Sequence, residues 1–214
     1  MGLRSLSKLT ASVVALALMT LSSSAMATLL NPGTTVAPGA TASPAAAALV
    51  VDSGAQPFTS VDGTSFSGTL RTQVYTNDAG NPFGLAGLTF TYLLTNNGPD
   101  ALERLVTVNF SQWSTDVGVN ATLVPGAVPI SADRSAGVGK SIGWDYTGSP
   151  GIGAGGNSAL LVIHTNAPGF LQVQNSVING SVAVVNSFGP NIFPEPTSLG
   201  LIGLAGVGLL RRRK

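Results

Sequence analysis

Alternation of large apolar with small polar residues is the strongest constraint this chain places on its own fold. Phe66, Gly68, Leu70, Thr72 and Val74 share one face of an extended segment, with Ser67, Thr69, Arg71, Gln73 and Tyr75 on the other. Leu88, Phe90, Tyr92 and Leu94 alternate with Thr89, Thr91, Leu93 and Thr95, and Val106, Val108 and Phe110 with Leu105, Thr107 and Asn109. Val117, Val119 and Ala121 continue the pattern, as do Ile142, Trp144 and Tyr146. Residues 160–165 form a nearly continuous apolar run, and residues 182–185 close the set. Successive side chains of a strand point to opposite faces, so a period of two argues half-buried strands. Turn-forming clusters at 77–82, 96–100, 125–126 and 148–151 separate them. Short strands at this spacing predict an all-β domain over residues 49–187, an antiparallel β-sandwich or jelly-roll-like fold.

The two ends read differently. Arg4 and Lys8 precede an apolar run at 13–21, and Ala25-Met26-Ala27 is a small-x-small cleavage signal. Residues 1–27 are therefore expected to be a signal peptide with an N-terminal signal helix, cut by signal peptidase after Ala27. Residues 28–48, rich in Pro, Ala and Thr, lack periodicity and read as a linker. Residues 188–193 read as a short spacer.

Beyond the spacer, Pro194-Glu195-Pro196 is followed by the apolar run 199–210 and then by Arg211, Arg212, Arg213 and Lys214. Leu199, Leu201, Ile202, Leu204, Val207, Leu209 and Leu210 supply the apolar surface of an expected short membrane helix. At 1.5 Å per residue it would span only about 20 Å of a ~30 Å hydrocarbon core, so it would have to thin the bilayer. The basic cluster should stay on the cytoplasmic side.

These last residues closely resemble the PEP-CTERM sorting signal of Gram-negative bacteria: tripeptide, Gly/Leu-rich helix and terminal Arg run, in that order. The same tail has also been labelled the C-terminal domain of an ice-binding protein, a label that attaches to the tail alone. The resemblance implies export across the inner membrane by the secretion machinery and a transient anchor. It also implies tail removal by an exosortase-type membrane enzyme at the sorting motif Pro194, Glu195 and Pro196, and an association with exopolysaccharide and biofilm matrix.

Charge narrows the partners. Six of the ten basic residues lie in the two end segments. Between positions 28 and 193 only Arg71, Arg104, Arg134 and Lys140 face eight acidic residues. No basic face for nucleic acid can be drawn from them. The chain has no cysteine and one histidine, His164, so disulfides, thiolate metal sites and a cysteine nucleophile are excluded.

Local matches to chemical motifs lack their context. Gly139-Lys140-Ser141 lacks the first glycine of a phosphate loop, because position 134 is Arg134. Residues 151–156 satisfy G-x-G-x-x-G, but Pro150 precedes them and a strand follows. Residues 139–143 match G-x-S-x-G, which would pair Ser141 with His164 as base and Asp145 as orienting acid. That motif requires a helix where strand-like sequence follows. Asp62, Asn77, Asp78, Asn81, Asp116 and Asn120 carry calcium-type oxygens without a calcium-loop spacing. Trp113, Trp144, Tyr75, Tyr92 and Tyr146 are the side chains able to stack on sugar rings. Thr69, Thr89, Thr91 and Thr95 could line a flat polar face. The resulting expectation is an exported, structural, non-enzymatic surface or matrix protein without catalytic residues, metal or cofactor. The alternatives are a polysaccharide- or envelope-polymer-binding module and a serine hydrolase.

Overall fold

The computed structural model describes residues 27–148 and 151–191. Ala25, with the rest of residues 1–26, and residues 192–214, which hold the sorting motif, the expected membrane helix and the basic tail, lie outside them. The described residues form thirteen strands and no helix. They are β1 (Thr28–Leu29), β2 (Thr35–Val36), β3 (Gly39–Ala40), β4 (Ala48–Thr59), β5 (Phe66–Thr76), β6 (Thr89–Pro99) and β7 (Arg104–Val108). Then come β8 (Thr115–Asn120), β9 (Ser131–Arg134), β10 (Ser141–Asp145), β11 (Leu160–Thr165), β12 (Phe170–Asn179) and β13 (Ser181–Pro190).

Two sheets result. The first runs β1-β8-β11-β6-β5-β4, with β3 added beside β8 in parallel; the second runs β13-β12-β7-β10-β9-β2. All other pairings between these strands are antiparallel. One apolar core joins the sheets: Phe66, Leu70, Val74, Phe90 and Tyr92 from the first, Leu105, Ile142, Trp144, Val177 and Val185 from the second. Phe90 and Phe110 meet edge to face at 6.2 Å, a favoured aromatic geometry. At one side β13 is tied to the opposite sheet, where Tyr92 Oη donates to the Phe188 carbonyl (3.0 Å) and the Thr72 and Ser187 hydroxyls meet at 2.7 Å.

The alternation in β5 translates directly into burial, with Phe66, Gly68, Leu70, Thr72 and Val74 all inside. In β7 the inward residues are Leu105 and Thr107, while Val106 and Val108 are half-buried. Asn109 then takes a positive φ of 81° and turns the chain so that Phe110 re-enters the core. β11 is buried on both faces, which is why its sequence does not alternate. Its outer face is roofed by the segments around 41–45 and 77–88: Asn120 Nδ2 donates to the Ser43 carbonyl, and Asn81 Nδ2 to the Leu88 and Thr165 carbonyls.

Two stretches expected as connectors belong to the body. Within 28–48, β1 pairs with β8, β2 with β9 and β3 with β8, so this segment touches both sheets. Leu30 is wholly buried. Strands of two residues show no period, and these side chains take part by backbone pairing and one anchor. The expected spacer is likewise strand to Pro190, with Phe188 stacked edge to face on Phe170 at 5.6 Å.

Candidate functional site

A concavity at a loop end of the sandwich forms around the connection between β7 and β8. That connection, residues 109–114, carries two non-glycine residues with positive φ, Asn109 (81°) and Gln112 (75°). Side chains larger than hydrogen rarely adopt this conformation, so the loop is held by its surroundings.

The holder is Arg134, the last residue of β9, only 5% exposed. Its Nε donates to the Gly139 carbonyl (2.9 Å). Nη1 donates to the Leu30 carbonyl (3.2 Å) and to Thr115 Oγ1 (3.0 Å). Nη2 donates to the carbonyls of Phe110 (2.6 Å) and Trp113 (2.8 Å). A guanidinium has five N–H donors, and all five are used. No carboxylate is among the acceptors, and burial pulls Arg134 below the ordinary arginine value. Gly139 has a φ of 64°, and a Cβ there would collide with the Arg134 guanidinium and with Pro32.

Beside this clamp lies a cleft of about 420 Å³, lined among others by Leu29, Pro32, Gln112, Trp113, Ser114 and Val138. Leu29 and Val138 are exposed, at 53% and 69%. Trp113 is half-buried and its indole N–H has no protein partner. The formal charge in the lining is Arg134's, and it is already saturated. The arrangement can take an uncharged or apolar surface; it offers no nucleophile paired with a base.

The aromatic set divides. Trp144, Tyr92 and Tyr146 are wholly buried in the core. Burial pushes both tyrosine hydroxyls far above their ordinary value. Trp113 in the end loop and the half-buried Tyr75 on β5 remain, on separate elements, so the five residues do not assemble a continuous stacking platform. The threonine array divides too: Thr89 and Thr91 are buried beneath the roof of the first sheet, while Thr69 and Thr95 are half-buried cross-strand partners.

Ser141, His164 and Asp145 are not brought together. Ser141 and Asp145 lie at the two ends of β10 in the second sheet. His164 lies on β11 in the first, on the face away from core residues Leu161 and Ile163, so a sheet separates its ring from β10. Its Nδ1 is 3.0 Å from Asp116 Oδ1, and Asp78 Oδ2 is 3.7 Å from Nε2. Asp78 in turn accepts from the Ala45 and Gly80 N–H groups and from Thr89 Oγ1. This buried cluster pins the roof to the sheet. Asp145 instead accepts from the Thr147 N–H.

Most of the calcium-type residues are engaged within the fold. Asp62 accepts from Ser60 Oγ and from the N–H groups of Thr64 and Ser65, contacts that hold its carboxyl well below the usual range. Asn120 accepts from the Leu123 N–H, and Asn77 occupies a left-handed turn position. Among the described residues no group of three acidic or histidine side chains is arranged to hold a metal ion. Sequence reasoning singled out Trp113 but missed Arg134 as its support; the signal available was a lone arginine ending a short polar strand.

Residues 194–214 match the family described as PEP-CTERM protein-sorting motif. Searches among characterised proteins and among solved structures gave no match.

Proposed function

Because the chain carries a PEP-CTERM sorting motif and is thereby an exported protein handled by an exosortase, we propose that its β-sandwich is a structural, non-enzymatic body delivered to the cell surface or extracellular matrix. In this reading a signal peptide ending at Ala27 starts export. The apolar segment 199–210, as a short membrane helix, then holds the precursor in the inner membrane with Arg211–Lys214 on the cytoplasmic side. An exosortase-type enzyme removes the tail at Pro194-Glu195-Pro196.

The observation that carries the reading is the position of the motif: β13, the last strand among the described residues, ends at Pro190, four residues before Pro194. The serine-hydrolase alternative loses its triad, because Ser141 and Asp145 lie on the second sheet and His164 on the first. Intact-mass measurement of the protein from its native host tests the proposal. The expected product starts near Thr28 and ends near residue 194; a mature exported form retaining Arg211–Lys214 would refute it. The alternative of a polysaccharide-binding module now rests on the Trp113 cleft. A glycan array on the mature protein, with Trp113→Ala as comparison, decides that alternative.

A further inference from the structure

We infer that the Trp113 end of the sandwich is a docking surface for the membrane enzyme that removes the tail; this rests on the sorting function proposed above. Covalent length limits how far the motif can lie from the fold. Pro190 is fixed in the sheet: its carbonyl accepts from Asn109 Nδ2 at 3.1 Å, and the Asn191 N–H donates to the Gly169 carbonyl at 2.9 Å. Pro194 is four residue steps beyond Pro190, and a fully extended chain advances at most ~3.6 Å per step, so the motif lies within ~14 Å of Pro190. An enzyme that grips Pro194-Glu195-Pro196 therefore has the end of the sandwich against its outer surface.

The residue that holds the exit also begins the cleft loop. Asn109 bonds Pro190, and three residues later Gln112 and Trp113 line the cleft. The loop connecting β11 to β12 joins the same end, where Asn166 Oδ1 accepts from the Ser114 N–H. The chain exit and the cleft are thus parts of one surface, stiffened by Asn109, Gln112 and the five bonds of Arg134.

What that surface presents fits a neutral, apolar partner. Val138 and Leu29 stand out into solvent beside half-buried Trp113, with uncharged Asn31, Gln112 and Ser114 around them. Tryptophan is among the residues enriched at interface centres, and the exposed aliphatic side chains beside it add apolar area that a partner would cover. The exposed left-handed Gln112 gives the folded body itself no evident return for its backbone conformation. A short tether raises the effective concentration of this surface at the enzyme, so a weak contact suffices to orient the precursor.

The test follows tail removal from the full-length precursor by pulse-chase in the native host. Val138→Lys places a charge at the docking end on a side chain that folding leaves exposed. Val61→Lys is its control, because Val61 is 83% exposed and its N–H bonds the Val182 carbonyl at the opposite end. Replacing Pro194-Glu195-Pro196 by alanines separates the two levels of the argument. We expect the motif variant to block processing, Val138→Lys to slow it by about fivefold or more, and Val61→Lys to leave it within about twofold of wild type. A twelve-residue Gly/Ser insertion between Asn191 and Ile192 should also slow processing, since it releases the end face from the enzyme; acceleration would mean that the body only obstructs, and would overturn docking. Wild-type rates for both Val138→Lys and Trp113→Ala, with the motif variant blocked, overturn docking and leave the sorting function standing. If Trp113→Ala processes normally but loses retention on a host polysaccharide, the cleft belongs to a sugar and docking is overturned. Normal processing of the motif variant would sink the sorting function and docking together.

Discussion

Replacing Arg134 by methionine should destabilise the sandwich by about 3 kcal/mol. The substitution keeps much of the side-chain volume and removes five donors. The acceptors fare unequally. The Leu30 carbonyl still receives the Thr115 hydroxyl at 2.9 Å, and the Phe110 carbonyl still receives the Trp113 N–H at 3.2 Å. The Gly139 and Trp113 carbonyls lose the bonds that Arg134 makes to them. Two orphaned, largely buried carbonyls cost roughly 1–3 kcal/mol each. Against this, methionine removes a guanidinium held in the interior without a carboxylate, which returns part of its desolvation penalty. A net loss near 3 kcal/mol would lower a urea midpoint by about 1.5 M for a slope near 2 kcal/mol/M. Equilibrium denaturation of the mature protein, followed by tryptophan fluorescence, measures it. Trp144 reports the core, and Trp113 should shift to longer wavelength already in the folded variant, because its carbonyl has lost its anchor. Arg134→Lys keeps a charge but has three donors and no fork, so it should recover no more than about half of the loss. A loss below about 1 kcal/mol with unchanged Trp113 emission would show that the five bonds do not hold the cleft loop.

Three other measurements probe separate parts of the fold. The hydrogen-bonded Arg71 guanidinium lowers the Asp52 carboxyl to about 2 from its ordinary 3.8. A carboxyl depressed by folding stabilises fully above the unfolded value and loses that contribution as pH falls through about 2. Asp52→Asn should therefore flatten the fall in stability between about pH 4 and pH 2, by less than about 1 kcal/mol because both partners reach solvent. Burial raises Tyr92 and Tyr146 far above the exposed-tyrosine range and raises Tyr75 less. Alkaline absorbance titration should show Tyr75 ionising first, with the other two appearing only as the protein unfolds; simultaneous ionisation of all three in folded protein would contradict their burial. Gly68→Ala would drive a Cβ into the Thr95 carbonyl and the Phe58 ring, lowering the denaturation midpoint by the equivalent of about 1–3 kcal/mol. An unchanged midpoint would mean that β5 and β6 are not this close at Gly68.

Where a segment buries one face of a regular strand, its composition records the fact. The inward set of β5 and the buried pair Ile142 and Trp144 of β10 were therefore legible, as was the two-sided burial of β11 in its unbroken apolar run. β4 was not, because two register shifts, between Leu49 and Val51 and between Asp52 and Ala55, break its alternation. β12 was missed because its exposed Gln172 and Gln174 and its half-buried residues lack a strong apolar face. In β7 the pattern was visible but its sign was not, since the valines that look like core are the outward row.

The sequence alone determined the sorting motif and the class. The motif at 194–214 is a contiguous string that an enzyme reads locally, and all-β architecture follows from a two-residue period that each strand carries within itself. Tertiary structure decided which side chains are spent and which are free. It took Trp144, Tyr92 and Tyr146 into the core, set His164 and Ser141 on different sheets, and wove residues 28–48 into both sheets. It also gathered acceptors from positions 30, 110, 113, 115 and 139 around Arg134. Those outcomes depend on contacts between segments far apart in the chain, and no local period or spacing encodes such a contact.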